Sequence, residues 1–347
     1  METIGFTKNM KLIKPSFEII EQKPRDIVIP ADMEIGPRMW KDELINSVYR
    51  QIEIAGRTCY KSEDKITETS AKEFVDRMVK SGHGAMLEHG TVYLRYDFKA
   101  KEDSNRTAYW LWSKYNENQY SESVQAQPVP GIPDGFVAIT TNFRVLVENN
   151  WLDDLEYICE PTEYHVKRIT VKFICDRGVS HEFVRHRVFS FAQESTRYCN
   201  YSKDKFNNEV TFILPCWADS LALQEVKGTV ITSDDFGNLI GEYYYHLNGK
   251  ETPYFKTWEI TPERNFVASL QVAEQLYLEL LNQGWKPQQA RAVLPNSLKT
   301  ELIMTGTIEQ WEGFFKLRDA GSAHPQAYEL AHPLHEEFIK REWTKNN

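Results

Sequence analysis

The feature that most restricts the fold is a strand pattern that runs directly into a dense run of charge. Apolar side chains recur at every second position over residues 169–175, which is the period of a strand with one buried face. The pattern stops at the turn Asp176-Arg177-Gly178, and the stretch HEFVRHRVFSFAQESTRYCN, residues 181–200, follows at once. The fold has to bury the strand and still leave the arginines and histidines of this stretch room for solvent or a ligand.

The other patterns mix helices and strands without a regular β-α-β order. Apolar residues recur at helical spacing in several segments and at every second position in others. We predict helices from Trp40 to about Gly56, Ser70 (with a capping box to Glu73) to Gly82, Phe143 to Leu155, Thr261 to Gly284, Gln288 to Val293, Gln310 to Leu317 and from Gln326 onward, and strands over 92–98, 209–214 and 302–304. This order predicts an α+β fold with a mixed sheet and long helices.

Two segments lack a clean period and are predicted to be insertions. Residues 99–160 contain a polar and aromatic stretch, 99–116, and a stretch with three prolines and two glycines, 125–135. Residues 217–258 are also irregular. No GxGxxG or GxxxxGK[ST] motif occurs, so a nucleotide would be bound by other means. We expect one domain, 1–347, that carries both insertions.

Composition excludes several classes of protein. The formal net charge of -9 argues against nucleic-acid binding through bulk electrostatics, although a local basic pocket is compatible with it. The five cysteines are widely spaced without a CxxC pair, which is typical of a reducing cytosol rather than a disulfide framework or a zinc site. No apolar run reaches the roughly 20 residues of a membrane helix, and the N-terminus lacks a signal-peptide pattern. We expect a cytoplasmic protein without nucleic-acid or membrane partners.

Three interpretations compete for the charged stretch. A solvated surface is the ordinary one, because Glu182 and His186 lie four residues apart and can pair. A zinc helix fails, because His181 and His186 are five residues apart, about 140° around an ideal helix. An anion pocket explains more, since arginine matches the geometry of phosphate and Ser195 adds a hydroxyl. The residues alone predict a pocket for a phosphorylated, partly aromatic ligand.

Motifs at several places in the chain resemble those of one known family. RHR, seven residues and Ser, from Arg185 to Ser195, is followed by TRY. SGHGAMLEH (81–89), AGRTCY (55–60), ARAVLP (290–295) and FFKLR (314–318) are the further matching segments. Together they resemble the flavin-dependent thymidylate synthases over roughly residues 40–98, 166–215 and 262–340. The resemblance implies the fold of that family, decorated by the two insertions.

The resemblance also implies an enzyme that methylates dUMP to dTMP. In that family methylenetetrahydrofolate is the carbon donor, NADPH is the reductant, and FAD lies between the subunits of a homotetramer. Uracil C5 is a weak nucleophile, so such an enzyme has to polarise the carbonyls of the ring and hold C5 against the carbon donor. FAD is therefore the expected cofactor, and dUMP, methylenetetrahydrofolate and NADPH are the expected small-molecule partners.

Site residues follow from the same resemblance. Arg318 is the expected catalytic residue, contacting the uracil and bordering the flavin ring. The expected substrate-binding residues are Glu182, Ser195, Arg197, Arg291 and Arg318, and the expected cofactor-binding residues are His83, Arg185, His186, Arg187 and Gln193. Glu88 and His89 are expected to support the site from behind, and no metal site is expected.

Some of these residues have alternative interpretations. Ser195 lacks a His/Asp relay at triad spacing, so it is interpreted as a ligand contact rather than a nucleophile. Cys199 is interpreted as structural. The chain departs from the family at Ala192-Gln193, where many members have Asn-Glu, and at Gly313, where members commonly have Asn or His. These departures leave a second hypothesis open, a catalytically inactive nucleotide-binding protein.

Overall fold

The computed structural model describes residues 10–25, 36–99, 104–126, 134–203, 206, 209–218 and 262–344. The helices are α1 (Pro37–Tyr60), α2 (Ser70–Ser81), α3 (Gly84–Leu87), α4 (Ser104–Asn116), α5 (Phe143–Glu148), α6 (Arg177–Phe183), α7 (Pro262–Asn282), α8 (Pro287–Ala290), α9 (Ile308–Arg318) and α10 (Pro325–Lys340). The strands are β1 (Lys11–Ile13), β2 (Ser16–Ile20), β3 (Thr91–Lys99), β4 (Glu122–Ala126), β5 (Asp134–Asn142), β6 (Arg168–Asp176), β7 (Ser190–Gln193), β8 (Thr211–Ile213) and β9 (Lys299–Thr307). Helices and small sheets together confirm the predicted α+β class.

Among the described residues, three sheets replace the predicted single mixed sheet. Strands β2, β6, β9 and β7 form a four-stranded sheet in that order, and β3, β5 and β4 form a three-stranded one, with antiparallel pairing throughout both. Strands β1 and β8 form a separate parallel pair. The expectation of one mixed sheet is wrong, because β3 pairs with a strand inside the first predicted insertion instead of with β6.

The four-stranded sheet lies at the centre of the part that carries the charged stretch. Neighbouring residues on a strand point to opposite faces. One face packs on α6, α9 and α10 around Phe173, Leu302 and Trp311, which are all fully buried. The other face packs on α1, where Ile303 and Ala55 share a small apolar cluster. The charged stretch runs into β7, which is an edge strand of this sheet.

Helix α1 is longer than predicted. Its buried stripe recurs at three- or four-residue spacing from Leu44 to Ala55. Gly56 does not end the helix, which continues to Tyr60. It permits close packing of α2 instead, because a Cβ at this position would lie 2.3 Å from Cζ of Phe74. The helix ends at Tyr60, and the C-cap residue Lys61 adopts a left-handed conformation with φ 48°.

The start of α2 differs from the predicted capping box. Thr69 is the N-cap and makes no side-chain cap hydrogen bond. Ser70 instead donates from Oγ to Glu53 Oε2 at 2.9 Å, which ties the start of α2 to α1. Gly82 ends the helix with φ 70°, a conformation that favours glycine, as predicted.

The first predicted insertion is largely regular structure. Residues 104–116 form α4, and β4 and β5 extend β3 into the three-stranded sheet. Ala108, Leu111 and Tyr115 are fully buried at spacings of three and four residues. The exposed rings of Tyr109 and Trp110 mask this helical pattern in the sequence. Residues 104–116 are therefore helical, although their sequence shows no clean period.

Other predicted elements are present with shifted ends. Helix α5 stops at Glu148 rather than Leu155, and 3-10 helices cover Glu63–Lys65, Leu152–Tyr157 and Arg291–Val293. Strand β9 is nine residues long, where the pattern predicts only 302–304. Most of the second predicted insertion, 217–258, lies outside the described residues. None of the helices in the described part of the chain combines the length and the hydrophobicity that a bilayer-spanning segment needs.

Candidate functional site

The charged stretch begins on a short helix and continues as turns. Asp176 caps α6 by accepting a hydrogen bond from Val179 N at 2.6 Å. Helix α6 ends at Phe183, and turns lead from there into β7. Arg185 and Arg187 are exposed in these turns, so both guanidinium groups can reach solvent or a ligand.

Three of the predicted site residues meet in direct contact. Arg318, the last residue of α9, donates from Nη1 to Glu182 Oε2 at 2.5 Å and from Nη2 to the Glu182 carbonyl at 2.8 Å. Its Nε donates to His186 Nε2 at 3.0 Å. The Arg318 side chain is 14% exposed, so these contacts hold a largely covered guanidinium in one orientation. The predicted catalytic residue thus lies against one predicted substrate residue and one predicted cofactor residue.

His186 is neutral in this contact. Burial, reinforced by the charge of Arg318, lowers the pKa of His186 to about 4. A neutral imidazole accepts at one nitrogen and donates at the other. Because Nε2 accepts from Arg318, the proton resides on Nδ1. Near neutral pH His186 therefore offers a hydrogen-bond donor without a positive charge.

A second group of predicted residues lies where the chain leaves β7. Ser195 N donates to the Cys59 carbonyl at 3.0 Å, which anchors this segment on the C-terminal end of α1. Arg291 Nη1 donates to Thr196 Oγ1 at 2.9 Å, and the next residue, Arg197, is exposed. The structure therefore brings together Ser195, Arg197 and Arg291.

His83 joins this second group through two tyrosines. Tyr60 Oη lies 3.2 Å from His83 Nδ1, and the Tyr60 ring centre is 5.6 Å from that of Tyr198. The guanidinium carbon of Arg197 lies 5.2 Å from the Tyr198 ring centre. His83 and Arg197 are both exposed. A ligand on this surface can therefore touch an imidazole, an aromatic ring and a guanidinium.

Gln193 lies between the two groups and contacts neither. Its Nε2 donates to Ser180 Oγ at 2.9 Å and to Thr300 Oγ1 at 3.3 Å. The amide therefore joins β7 to α6 and β9. Gly313, the other unusual position, faces open space, since a Cβ there would meet nothing within 4 Å.

A cavity of about 410 Å³ lies next to the Arg318 contact. Glu182, which accepts from Arg318, also lines this cavity. Its walls include the rings of Phe266, Trp217 and His324, and Asn296 contributes a polar group. The Trp217 and His324 ring centres are 5.9 Å apart. The volume is in the range of small-molecule sites.

Sequence reasoning misses a charge cluster behind the second group, formed by Glu194, Glu301, Lys61, Lys172 and Lys299. Glu301 is 6% exposed and contacts all three ammonium groups. Lys299 Nζ also lies 2.8 Å from Glu194 Oε2. Burial alone would raise the pKa of Glu301, but the ammonium groups hold it well below its ordinary value. The only sequence signal is the pair Lys299 and Glu301, which share one face of the strand β9.

The residues expected behind the site are buried or paired. His89 is fully buried, its Nδ1 lies 2.8 Å from Thr305 Oγ1, and burial lowers the pKa of His89 to about 3. Glu88 Oε1 accepts from Arg144 Nη1 at 2.6 Å. Cys199 is 1% exposed, which agrees with its structural interpretation.

Comparison with known proteins gives a family match and several relatives. The model of the family described as "Thymidylate synthase complementing protein" matches residues 161–342. A flavin-dependent thymidylate synthase from Pyrococcus furiosus is 27% identical over 168 residues, which are 48% of this chain and 52% of that protein. A probable flavin-dependent thymidylate synthase from Paramecium bursaria Chlorella virus 1 is 26% identical over 172 residues, 50% of this chain and 66% of that protein. The chain thus spans about half to two thirds of the length of these relatives.

Among solved structures, a UMP/dUMP methylase PolB from Streptomyces cacaoi, bound with 5-Br dUMP, aligns over 95% of this chain and 93% of its own. The identity is 16% and the TM-score is 0.35, which does not establish a shared fold. The family match covers the Arg318 contact and the Ser195 segment. It begins at residue 161, so the resemblance of residues 40–98, with His83, stays a prediction.

Proposed function

Because the chain belongs to the thymidylate synthase complementing protein family, we propose that it converts dUMP to dTMP by FAD-dependent reductive methylation. Methylenetetrahydrofolate is the proposed carbon donor and NADPH the proposed reductant. The flavin-dependent relatives and the arginine-rich stretch support this reaction class. A cytoplasmic location belongs to the proposal, in agreement with five cysteines that are all free.

The contact of Arg318 with Glu182 and His186 is the observation that carries the proposal. Uracil C5 is a weak nucleophile that becomes more reactive when the ring takes on enolate-like character, with negative charge on its carbonyl oxygens. A guanidinium stays protonated throughout the physiological pH range, so Arg318 can stabilise this charge without a proton transfer. Glu182 and His186 fix its orientation in advance, which removes the reorganisation cost at the moment of reaction.

The exposed arginines fit the diphosphate of a flavin dinucleotide. In the part of the chain that the structure describes, Arg185 and Arg187 are both exposed and neither forms an ion pair with a carboxylate. His186 adds an uncharged donor between them. When bound, FAD would supply the reducing equivalents for the transferred carbon unit. Residues 185–187 would hold it beside Arg318, with Gln193 and His83 as further proposed contacts.

The proposed dUMP contacts divide into two sets. Glu182 and Arg318 would bind the uracil, and Ser195, Arg197 and Arg291 would bind the phosphate and sugar. Within the described residues, no hydrogen bond or ion pair joins the two sets. This separation supports a site completed between copies of the chain, in the proposed homotetramer with FAD at its interfaces.

The reaction is tested by the release of tritium from dUMP labelled at C5. We expect release that depends on methylenetetrahydrofolate and NADPH, from a protein with a flavin absorption spectrum. Arg318→Ala should lower turnover by at least about a hundredfold while the flavin stays bound. Lys316→Ala, an exposed position on the same helix, is the matched control and should keep normal turnover. Full activity in Arg318→Ala would remove this residue from the mechanism, and a protein that stays colourless with added FAD would refute the proposed function.

The shared site is tested by mixing two inactive variants, Arg318→Ala and Arg197→Ala. If each site takes Arg318 from one copy and Arg197 from another, about a quarter of the sites in random mixed assemblies regain both arginines. Co-expression with two affinity tags verifies that mixed assemblies form. Mixed assemblies that recover no activity would place the whole site within a single copy.

One observation favours a second candidate, a relative that binds the nucleotide without turning it over. Glu182 already neutralises Arg318, so its carboxylate competes with the uracil ring for the guanidinium. In this case dUMP binds, tritium is not released, and Glu182→Gln raises turnover by removing the competing charge. Normal tritium release by the unmodified chain excludes this candidate.

A further inference from the structure

A cavity of about 390 Å³, hereafter the junction cavity, lies between the strands β2 and β6 on one side and α1 and β3 on the other. The apolar side chains of Leu44, Val48 and Ile158 form part of its wall, and all three are nearly or fully buried. None of the residues assigned to the proposed reaction lines this cavity. Its chemistry therefore calls for a separate explanation.

Arg168, at the start of β6, is the most enclosed charged side chain of the junction cavity. Its Nη1 donates to Thr91 Oγ1 at 3.3 Å and its Nη2 to the Glu88 carbonyl at 3.2 Å. Both acceptors are uncharged. Among the described residues, Arg168 has no carboxylate at ion-pair distance, and burial lowers its pKa. The described part of the chain thus leaves a half-buried positive charge with no carboxylate in direct contact, which is costly.

Two carboxylates near Arg168 are already engaged elsewhere. The Glu88 carboxylate accepts from Arg144 Nη1 at 2.6 Å and acts on Arg168 only through space, while the Glu88 backbone carbonyl accepts the hydrogen bond from Arg168. Glu21 contacts Lys23 and accepts from Arg341 Nη1 at 2.6 Å. Neither acid can turn to Arg168 without breaking an existing ion pair.

The mouth of the junction cavity adds a cation and an aromatic ring. Lys167 is exposed there, and its Nζ lies 4.3 Å from the Trp343 ring centre. The one further acid in the wall, Glu160, is exposed and therefore well solvated. The positive charge thus extends from the enclosed end of the cavity to its opening.

Arg168 keeps hydrogen-bonding capacity for an occupant. A guanidinium has five N–H donors, and the contacts with Thr91 and Glu88 involve one on each of two nitrogens. The remaining nitrogen, Nε, has no acceptor among the described residues, yet it is not sealed by protein atoms. Free donors therefore face accessible space.

We infer that the junction cavity binds a small organic anion, with its carboxylate or phosphate on Arg168 and its apolar or aromatic body against Leu44, Val48 and Ile158. Arginine is the side chain best matched to the planar acceptor pair of these acidic groups. The volume suits a small molecule, and the mixture of apolar walls with a few convergent donors is typical of such sites. The inference does not depend on the reaction proposed above.

Crystals of the unmodified protein test the position of the site. Soaks with 4-bromobenzoate or 4-bromophenyl phosphate should give an anomalous bromine peak inside the junction cavity, with the acidic group directed at Arg168. Neutral 4-bromobenzamide should give none. The acid with the higher occupancy identifies carboxylate or phosphate as the preferred group. Bromine peaks found only outside the cavity, or equal occupancy by the amide, would overturn the inference.

Isothermal titration calorimetry with the preferred probe tests the role of charge. Arg168→Gln should weaken binding about tenfold or more, the loss expected for one charge-assisted hydrogen bond. Lys167→Met changes an exposed residue and should weaken binding of the probe about threefold. If Arg168→Gln fails to fold, unchanged binding in Lys167→Met would refute the role of charge. Arg197→Ala removes an exposed arginine of the proposed dUMP site and should leave binding unchanged. Loss of binding in Arg197→Ala alone would move the probe to the dUMP site and refute the junction cavity, without touching the proposed reaction.

Discussion

Replacing Glu301 by glutamine should destabilise the protein far more than the same change at an exposed acid. The substitution keeps the size and shape of the side chain but removes its negative charge. In the charge cluster, Glu301 contacts the ammonium groups of Lys61, Lys172 and Lys299. Glu194 would still contact Lys299 and Glu63 would still contact Lys61, but Lys172 would keep no carboxylate at ion-pair distance among the described residues.

The magnitude follows from the charges that the substitution leaves behind. The Glu301 side chain is 7% exposed and the three lysine side chains are 14–20% exposed, so solvent screens these pairs little. Breaking a buried ion pair by removing one partner costs about 3–5 kcal/mol. With an unfolding entropy of about 2.1 cal/mol/K per residue, that loss lowers the melting temperature of a chain of this length by about 5 °C.

The same substitution should change the response of stability to acid. The pKa of Glu301 is lowered in the folded state, so the unfolded state binds more protons at low pH. The stabilisation from this group is fully present above its unfolded pKa, about 4.3, and is lost as the pH falls through the lower folded value. Glutamine does not titrate. The difference between variant and wild type should therefore be largest above about pH 5 and shrink below about pH 4.

Urea unfolding is followed by tryptophan fluorescence, once above about pH 5 and once below about pH 4. The first measurement gives the loss of stability, and the second shows how far acid reduces it. Glu148→Gln is the matched control, because Glu148 is 55% exposed and pairs with Arg144 at the surface. We expect it to cost less than about 0.5 kcal/mol. A loss below about 1 kcal/mol for Glu301→Gln would refute the argument that this carboxylate compensates three buried charges.

Two further pairs of substitutions test packing and charge elsewhere. Gly306→Ala should lower the free energy of unfolding by about 1–3 kcal/mol, because its Cβ would lie 2.5 Å from Cε1 of Phe189. Gly313→Ala, whose Cβ meets nothing within 4 Å, should be neutral or stabilising by up to about 1 kcal/mol. Asp154→Asn should cost about 3 kcal/mol, because this buried carboxylate contacts a tyrosine hydroxyl and a lysine ammonium, whereas the exposed neighbour Asp153→Asn should cost less than about 0.5 kcal/mol. Urea unfolding at pH 7 measures all four, and equal stability within either pair contradicts the corresponding prediction.

The elements around the Arg318 contact were accessible from local sequence. The every-second spacing of apolar residues predicts β6, whereas the turns that hold Arg185 to Arg187 were not predicted. The helical pattern near Gln310–Leu317 predicts most of α9, which carries Arg318 at its end. These signals are local because periodicity depends on neighbouring residues alone. The contact between the two elements rested on family resemblance, since spacing cannot show which helix end meets which turn.

Long-range pairing explains what sequence reasoning missed. Lys299 and Glu301 lie two residues apart, so the strand period shows that they share a face. Nothing local shows that Lys61, 240 residues before Glu301, lies opposite them. The same limit explains the sheets, because strand partners are chosen by the whole fold rather than by each strand. Opposite charges two residues apart in a strand, such as Lys299 and Glu301, are nevertheless a usable warning of an ion-pair cluster on one face.

The position of β7 at the edge of its sheet explains why the two groups of site residues do not touch. Gln193 points to the face covered by α6 and α9, whereas Glu194 points to the face covered by α1. The chain then leaves the sheet on the α1 side with Ser195, while the Arg318 contact lies on the other side. Among the described strands, β7 pairs with β9 alone. The outer edge of β7 therefore separates the group around Arg318 from the group around Ser195. A single ligand that touches both groups within one copy would therefore have to reach from one face of the sheet to the other, which favours the proposed site completed by a second copy.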